Sequence, residues 1–404
     1  MVLNNKHLLV VWPAIANNRF AFFSSLYDQW GTYTLITAGY GKRYYLEYDE
    51  PVFEGVKILR PWTLNYRIAG TWKFIGLKRI LRSEKPDIIL VADYPFKSTF
   101  DALEWAYENH VPCILYSAIT RFPRTVEGGL FATPIGQRML AHYRYEHSIE
   151  RTLPLFDRVI VPSSTSLVHL EKRGVMTDKI QVIPNSIDVV AFSPKSTVTK
   201  ENYKKKYGIP SNCPVVGFVG RMTAEKGVEQ LAQIFSLVHQ DIPECFFVIA
   251  GAGPLQNKVS KMIDQAGLSS RTNMLGYVHY NNLQEVYGLM DLFAFTSMPI
   301  PGNVDQDPKV VLEAMSSGLP IVMFDIDGGA GWHVTDPDHG IKVNIGDVEA
   351  FSVAIRSLLG QPQLRLSIGR RSRDYAVATV SPVVVSKKYA QLLGETSKQG
   401  ARNA

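Results

Sequence analysis

A glycine turn with two cations separates an apolar run from a predicted helix in the second half of the chain. The run 215–219 is followed by Gly220, Arg221 and a short polar stretch that reaches Lys226, and a helix is predicted from Val228. Glycine lets a backbone approach a ligand, a helix start offers free amide groups, and two nearby cations can hold both halves of a diphosphate. Taken alone, the same residues also fit an ordinary strand-to-helix loop with solvated charges.

Two carboxylates form a second candidate site. Asp305 is predicted in a loop and Glu313 on the following helix, which is punctuated by Asp307 as a cap, Pro308 as first helical residue and Gly318 as a stop. One carboxylate would then lie beside the positive end of the helix and the other about a turn and a half inside it. Both could accept hydrogen bonds from sugar hydroxyls around an anion bound at that end. The plainer alternative is a capped surface helix.

The composition predicts a compact protein with two hydrophobic cores. The chain has 404 residues, of which 46% are hydrophobic and 20% charged, and this length favours two or three domains. The 43 Lys and Arg exceed the 37 Asp and Glu by six, a moderate excess that does not imply nucleic acid as a partner. The cysteines are far apart, which fits a reducing cytoplasm and excludes a paired metal-binding or disulfide pattern: Cys113, Cys213 and Cys245.

No apolar run is long enough for a membrane-spanning helix. The first run, 8–12, stops at Pro13 and is too short for the core of a signal peptide. A membrane-spanning helix needs about 18 to 20 apolar residues. We therefore expect a cytoplasmic protein for which any membrane contact is peripheral, at the inner face of a membrane.

Short apolar runs alternate with helix-sized segments in both halves. In the first half they are 8–12, 33–37, 56–59, 87–92, 113–117, 158–162 and 180–183. In the second half they are 215–220, 246–251, 273–277, 292–296, 321–325 and 341–344. Runs that are apolar on both faces are typical of parallel strands covered by helices. The fold class predicted is α/β, with two Rossmann-like, doubly wound domains that face a cleft.

The composition also changes along the chain, which suggests domain boundaries. We place an N-terminal domain at 1–190 and a C-terminal domain at 214–375. Between them, 191–213 is predicted as a linker, because it is rich in Ser, Thr, Pro and Lys and has few large apolar groups. The tail is predicted as helices divided at Ser381 and Pro382, with 376–404 returning to the N-terminal domain.

From about residue 160 to residue 359 the chain resembles glycosyltransferase family 4, retaining enzymes with the two-domain fold called GT-B. Segments similar to the family's motifs occur in the family's order: 182–188, 220–227, 251–254, 275–278, 291–293, 313–315 and 318–322. The glycine loop 328–331 is similar to the loop that closes on the donor, but Trp332 or His333 stands where an acid is often found. Ser186 replaces a usual glycine, and Asp305 replaces the first glutamate of the family's paired motif.

The resemblance implies a function and a role for each matched residue. It implies retaining transfer of a hexose-type sugar from a UDP- or GDP-sugar to a glycan or lipid-linked acceptor, without a metal or cofactor. It also implies that 1–190 is the acceptor-binding domain and 214–375 the nucleotide-sugar-binding domain. Arg221 and Lys226 would bind the diphosphate and stabilise it as a leaving group, and Asp305 would lie near the transferred sugar. The positions implied in donor binding are Gly220, Gly253, Tyr277, Val278, Val310 and Glu313, the last through the ribose.

The acceptor side departs from the family pattern. The usual glycine pair after the first strand is absent, and so is the His expected after the run 113–117. The nearest polar candidates for contact with the acceptor are Arg19, Thr120, Arg121 and Arg124. Each of them also fits a structural or solvated role.

A basic segment at 60–85 has two interpretations. It carries seven cations against one anion, and Trp62, Tyr66, Trp72 and Phe74 lie among them. This mixture favours contact with an anionic membrane surface. Alternatively, a helix with Ile68, Trp72, Ile75 and Arg79 on one face is partly buried, and its cations are only solvated.

Other functions are less well supported by the sequence. The turn 251–253 begins like a dinucleotide fingerprint, but Gln256 occupies the third glycine position. Asp325 and Asp327 could suggest a metal pair, yet they equally fit a turn after a strand. Two alternatives stay open: a nucleotide-sugar epimerase of the same fold, and a catalytically impaired partner subunit that binds a nucleotide sugar.

Overall fold

The computed structural model describes residues 6–12, 15, 17–38, 53–66, 71–92, 97–118, 151–299, 308–326 and 328–403. The chain divides into two compact units. The N-terminal unit comprises Met1–Pro184 with Val383–Ala404, and the C-terminal unit comprises Asn185–Pro382. Each unit contains its own parallel sheet, so the predicted α/β fold class is confirmed.

Seven strands form the sheet of the N-terminal unit: β1 (Leu8–Val11), β2 (Tyr33–Ile36), β3 (Val56–Leu59), β6 (Ile88–Ala92), β7 (Cys113–Tyr116), β8 (Arg158–Val161) and β9 (Ile180–Val182). Their order is β3-β2-β1-β6-β7-β8-β9, and every neighbouring pair is parallel. Each corresponds to one predicted apolar run. The order reverses between β1 and β6, and ligands of doubly wound sheets bind at the carboxyl ends of strands at such a switch point.

Helices cover both faces of this sheet because successive strand residues point to opposite sides. Leu9 and Val11 belong to one core, whereas Leu8 and Val10 belong to another with Trp30. The helices described in the first 184 residues are α1 (Phe20–Trp30), α2 (Leu77–Glu84), α3 (Lys97–Glu108) and α4 (Ser164–Glu171).

Part of the segment predicted as a helix around Ile68, Trp72, Ile75 and Arg79 forms a pair of antiparallel strands, here called the hairpin, and Ile68 lies outside the described residues. The antiparallel strands β4 (Thr63–Tyr66) and β5 (Thr71–Phe74) pair there, and α2 begins only at Leu77. Gly76 separates strand from helix with a φ of 75°, which a regular right-handed helix cannot include. Phe74 is fully buried and its amide donates to Ser98 Oγ at 2.9 Å, which fastens the hairpin to α3.

The sheet of the C-terminal unit has six strands: β10 (Val215–Val219), β11 (Phe246–Ala250), β12 (Thr272–Gly276), β13 (Leu292–Phe295), β14 (Ile321–Phe324) and β15 (Gly340–Val343). Their order is β12-β11-β10-β13-β14-β15, and every neighbouring pair is parallel. Each matches a predicted run to within a residue or two. Here the switch point lies between β10 and β13.

The helices of this unit are α5 (Thr197–Lys206), α6 (Val228–Asp241), α7 (Gln256–Gln265), α8 (Tyr280–Leu289), α9 (Lys309–Ser316), α10 (Gly329–His333), α11 (Val348–Gly360) and α12 (Pro362–Val380). Helix α9 begins one residue later than predicted, because Pro308 still has an extended backbone. Gly318, with a φ of 73°, follows its end as expected.

The predicted linker 191–213 is instead part of the C-terminal unit. It contains α5, which packs on α8. The polar composition misled the prediction, because a lysine serves here as a buried group. Lys204 is 5% exposed, and its Nζ donates to the carbonyls of Ser211 at 2.7 Å and Cys213 at 3.1 Å.

The tail forms two helices divided at Ser381 and Pro382, as predicted: α12, and α13 (Pro382–Asn403). Helix α13 groups with the N-terminal unit, where Tyr389 packs on Phe22 with ring centroids 4.9 Å apart. Helix α12 stays in the C-terminal unit and supplies Arg373, whose Nη1 donates to three backbone carbonyls, those of Val189, Phe192 and Ser316.

Across the described residues, none of the helices has the length and apolar character needed to span a membrane. The three cysteines are buried free thiols. Burial raises the pKa of the Cys113 thiol well above its usual value, with a smaller contribution from the charge of Asp157.

Candidate functional site

The predicted diphosphate loop, residues 220–227, lies at the switch point of the C-terminal unit. It follows β10 and is fastened to the residues after the neighbouring strand β13. Thr296 Oγ1 donates to the Lys226 carbonyl at 2.8 Å, and the Met298 amide donates to the Glu225 carbonyl at 3.0 Å. Gly227 has a φ of 61°, and a Cβ there would overlap the Thr296 carbonyl oxygen. Only glycine allows this close approach, after which α6 begins at Val228.

A second glycine turn packs on this loop through backbone atoms. The Gly220 amide donates to the Ala250 carbonyl and the Met222 amide to the Ala252 carbonyl, each at 3.0 Å. A Cβ on Gly251 would overlap the Gly220 carbonyl, and a Cβ on Gly253 would lie 2.6 Å from the Met222 carbonyl. The predicted donor-binding residues Gly220 and Gly253 therefore also have a structural role, because each lies where the two loops are in close backbone contact.

The cation Arg221 is held by an acid of its own loop. Its Nη2 lies 2.9 Å from Glu225 Oε1, and Thr223 Oγ1 donates to the same oxygen at 2.7 Å. Burial raises the pKa of Glu225, but the hydrogen bonds from Thr223 and its own amide and the charges of Arg221 and Lys226 outweigh it, so the pKa is lowered. Arg221 is 68% exposed and remains accessible to a ligand. The spacing of four residues between Arg221 and Glu225 was a sequence signal for this pair that the prediction missed.

Lys226 lies in the same loop, half-buried, with Nζ 6.0 Å from the centre of the Phe295 ring. The structure thus brings the two predicted cations together on one loop, directly before the first turn of α6. A helix N-terminus adds partial positive charge at the same place. The arrangement suits an anion with two charged groups.

Glu313 lies inside α9, the helix that follows β13, and is 3% exposed. The Tyr287 hydroxyl from α8 lies 2.9 Å from Glu313 Oε2 and 3.2 Å from the Val310 carbonyl. Burial raises the pKa of Glu313 to about 7, although the Tyr287 hydrogen bond and the Lys309 charge lower it. Tyr287 was missed, because no local spacing connects it with a carboxylate on another helix.

The remaining predicted donor positions lie at strand ends or on the same helix. Tyr277 and Val278 follow β12, where the Gly276 carbonyl accepts from the Gly251 amide at 2.7 Å, and Tyr277 is 44% exposed. Val310 is on α9 and offers its carbonyl to Tyr287. Asp305 lies outside the described residues, so its predicted place near the transferred sugar stays a prediction.

The glycine loop predicted to close on the donor leads into α10. Lys342 Nζ donates to the Gly331 carbonyl at 2.9 Å, and Trp332 is 42% exposed. His333 is fully buried, with Nδ1 2.9 Å from the Tyr375 hydroxyl. Of the two candidates for the position of the family's acid, the accessible one is therefore Trp332.

In the N-terminal unit, Arg19 lies at the carboxyl ends of β1 and β7. Its Nη2 donates to the Tyr116 hydroxyl at 2.8 Å. The guanidinium carbon is 5.3 Å from the Trp12 ring centre and 5.1 Å from that of Tyr116, and the two rings are stacked. The prediction named Arg19 but missed both aromatic residues, although Trp12 ends one apolar run and Tyr116 is the last apolar residue of another. The other acceptor candidates, Thr120, Arg121 and Arg124, lie outside the described residues.

Among the residues that the structure describes, no group of three or more His, Cys, Asp or Glu side chains is arranged to hold a metal ion. The Asp325 carboxylate lies 3.7 Å from Lys342 Nζ and is 63% exposed. Its suggested partner Asp327 lies outside the described residues.

Comparison with known proteins places these features in a family. Two family models match: Glycosyltransferase Family 4 over residues 31–190 and Glycosyl transferases group 1 over residues 199–375. The UDP-Gal:alpha-D-GlcNAc-diphosphoundecaprenol alpha-1,3-galactosyltransferase of Escherichia coli is 30% identical over 288 residues, which cover 70% of this chain and 68% of that protein. The chain belongs to glycosyltransferase family 4. The resemblance seen in the sequence motifs is thereby confirmed.

Other relatives of this family 4 member match over shorter stretches. A GDP-mannose-dependent monoacylated alpha-(1-6)-phosphatidylinositol monomannoside mannosyltransferase of Corynebacterium glutamicum is 26% identical over 213 residues, or 52% of this chain and 55% of that protein. The chain spans about half the length of several of the curated relatives that it matches.

Solved structures share the GT-B fold over nearly the whole chain. The structure of Anabaena HepE in complex with UDP has a TM-score of 0.71 at 16% identity and covers 96% of this chain and 100% of that one. WaaG, a glycosyltransferase involved in lipopolysaccharide biosynthesis, has a TM-score of 0.67 at 15% identity and covers 96% of this chain and 99% of that one. The predicted GT-B fold class is confirmed.

Proposed function

We propose that this family 4 member is a retaining glycosyltransferase that moves a hexose-type sugar from a UDP- or GDP-sugar to a glycan or lipid-linked acceptor. One observation supports the proposal most directly. The cations Arg221 and Lys226 follow β10, the buried carboxyl of Glu313 follows β13, and these two strands flank the switch point. Relatives named for UDP-Gal and for GDP-mannose support both donor classes, and their names also support acceptors attached to lipids.

In the proposed reaction, a bond forms between an acceptor oxygen and the anomeric carbon, and the bond from that carbon to the diphosphate breaks. The acceptor hydroxyl releases its proton to solvent, and the nucleoside diphosphate leaves with an additional negative charge. Arg221 and Lys226 would stabilise that charge, and such stabilisation accelerates the reaction because it is stronger in the transition state than in the bound substrate. Glu313 would hold the ribose, and Asp305 would lie near the transferred sugar.

We also propose that the two cations replace a divalent metal ion in this role. The test of the proposed function is a thermal-shift panel of UDP, GDP, ADP and their sugars, with and without EDTA. A ligand that binds only the folded protein stabilises it by about 2.7 kcal/mol at a hundred times its dissociation constant. A shift by one nucleotide class that persists in EDTA supports the proposal, and a panel without any shift contradicts it.

The same panel selects the donor for two further incubations. With acceptor absent, a change in the sugar of the donor would indicate an epimerase of the same fold. With a set of glycan and lipid-linked acceptors present, binding without turnover would favour the catalytically impaired partner subunit.

On the acceptor side, we propose that Arg19 contacts the acceptor. It lies where a doubly wound sheet binds ligands, and its guanidinium is oriented by Tyr116 and Trp12. We expect Arg19→Ala to raise KM for the acceptor about tenfold, the effect of losing roughly 1.4 kcal/mol of a charged contact, without changing donor affinity. Steady-state kinetics with one substrate varied at a time checks this. Arg158→Ala is the control. It removes an arginine of the same unit that lies at the amino end of β8, whereas Arg19 lies at the carboxyl ends of strands.

For the basic segment 60–85, we propose contact with an anionic membrane surface through the base of the hairpin. Trp62 is 85% exposed and Ile75 48% exposed, and the two residues are joined by a backbone hydrogen bond of 2.8 Å. Arg60, Arg79 and Arg82 are exposed nearby in the sequence. Lys78 contributes less, because it forms an ion pair with Glu104 at 3.0 Å. Arg67 of the same segment lies outside the described residues.

We expect Trp62→Ala combined with Arg79→Ala to weaken binding to phosphatidylglycerol-containing liposomes at low salt. Each cation near an anionic surface contributes about 1 kcal/mol, or about fivefold, and the tryptophan adds apolar burial. Co-sedimentation at increasing salt measures the loss. Leu155→Ala, an exposed apolar residue of the same unit, is the control. If the unaltered protein is not retained by such liposomes, the proposed surface is wrong.

A further inference from the structure

The Tyr287 hydroxyl lies within hydrogen-bond distance of two acceptors, one of which is the proposed ribose-binding carboxyl of Glu313. The Tyr287 hydroxyl is 2.9 Å from Glu313 Oε2 and 3.2 Å from the Val310 carbonyl. When Glu313 is ionised, its oxygen can only accept, so the tyrosine must donate to it. When Glu313 is protonated, its own O–H can donate to the tyrosine oxygen, and the tyrosine then donates to Val310. The hydrogen-bond direction thus follows the charge of Glu313.

This arrangement leaves the other carboxyl oxygen for a ligand. Within the described part of the chain, Glu313 Oε2 bonds to Tyr287, while Oε1 takes part in no hydrogen bond. Tyr287 is fully buried, and Phe192 packs against its ring at a centroid distance of 5.6 Å, so the hydroxyl cannot move away. The tyrosine therefore fixes which oxygen faces a ligand.

The surroundings of Glu313 are weakly charged. Helix α8 contributes the hydroxyls of Tyr287 and Tyr280, and α9 contributes Lys309, whose charge favours ionisation of Glu313. Helix α12 also packs on α9, but its Arg373 donates to the Ser316 carbonyl. Strand β14 offers only apolar side chains. Asp188 acts on Tyr280 and opposes its ionisation.

We propose that Tyr287 is a positioning residue that favours the ionised, ribose-binding form of Glu313 and so extends donor binding to lower pH. This inference rests on the proposed function, since it takes Glu313 as the ribose ligand. Ribose hydroxyls that donate to a carboxylate stabilise the ionised form. Donor binding then releases a proton whenever Glu313 starts out protonated.

Burial raises the pKa of Glu313 to about 7, so the titration falls in an accessible range. Below that pH, the affinity for the donor should rise about tenfold for each pH unit, because one proton must be lost for each donor bound. Above it, affinity should level off. Loss of the tyrosine hydrogen bond raises the pKa further and moves the midpoint to higher pH.

The test measures the affinity for UDP-glucose and GDP-mannose from pH 5.5 to 9 in the full chain. A nucleotide sugar is used because its diphosphate has no proton to lose in this range. Tyr287→Phe should move the midpoint to higher pH, and Glu313→Gln should bind weakly with no pH dependence. Tyr207→Phe is the matched control, since its hydroxyl also bonds a glutamate, Glu285, at 3.1 Å but away from the site.

A second measurement needs no ligand. A carboxyl whose pKa is raised in the folded state stabilises the fold below its unfolded pKa, and that stability is lost as pH rises through about 7. Thermal unfolding against pH should show this loss in the unaltered protein, a loss displaced to higher pH in Tyr287→Phe, and none in Glu313→Gln. This readout shows whether Tyr287 controls ionisation even if a variant binds donor too weakly to measure.

The outcomes separate this inference from the proposed function. If neither nucleotide sugar binds the unaltered protein at any pH, the proposed function fails and this inference fails with it. If a donor binds with the same affinity at every pH, or if Tyr287→Phe weakens binding equally at every pH, only the inference is overturned.

Discussion

Arg221→Ala is expected to lower kcat/KM for the donor about 10²- to 10³-fold, the range found when one preorganised donor to a developing negative charge is removed. The loss should include kcat, because the diphosphate carries more charge in the transition state than in the bound donor. Stability should change little, since the side chain is 68% exposed and its ion pair with Glu225 lies on the surface of the loop. Initial rates over a range of donor concentrations, with thermal unfolding alongside, measure both effects.

Arg370→Ala is the control for this variant, because it removes an exposed arginine from α12 in the same unit. A loss of activity common to both variants would be a general charge effect. Wild-type kcat/KM in Arg221→Ala would exclude Arg221 from diphosphate binding. A variant whose KM for the donor rises while kcat is unchanged would place the arginine in binding alone, and the leaving-group role would then rest on Lys226.

The sheets could be predicted from sequence because their strands are buried on both faces. Strands such as β6 and β11 are apolar throughout, and no solvent-facing alternation interrupts them. The loop 220–227 was predictable because its glycines and its two cations lie close together in the sequence, between a predicted strand and a predicted helix. Local constraints of this kind are visible along the chain.

What failed depends on contacts between distant residues. The spacing of apolar residues before α2 predicts a helix. The structure of this segment is instead decided by the pairing of β4 with β5 and by the hydrogen bond from the Phe74 amide to Ser98. Helix α5 looks like a linker, because its buried lysine is stabilised by carbonyls that only the fold supplies. Tyr287 is 26 residues from Glu313, and nothing in either local sequence connects them.

Gly227→Ala is expected to destabilise the C-terminal unit by about 3 kcal/mol or more. Part of this cost, about 1 kcal/mol, comes from an alanine at a φ of 61°. The rest arises because the new Cβ would overlap the Thr296 carbonyl, so the loop must move away from β13. That movement breaks the bonds from Thr296 Oγ1 to the Lys226 carbonyl and from the Met298 amide to the Glu225 carbonyl, each contributing about 1 kcal/mol.

Gly267→Ala separates the two contributions. Gly267 has a φ of 71°, close to that of Gly227, but nothing lies within 4 Å of the position of its Cβ. At about 2–4 °C of melting temperature per kcal/mol for a unit of this size, the control should melt about 3 °C lower and Gly227→Ala about 9 °C lower. Donor affinity should fall in Gly227→Ala only, because that substitution moves Lys226. Equal losses of melting temperature in the two variants would show that backbone conformation, rather than the contact with Thr296, is what requires glycine in this loop.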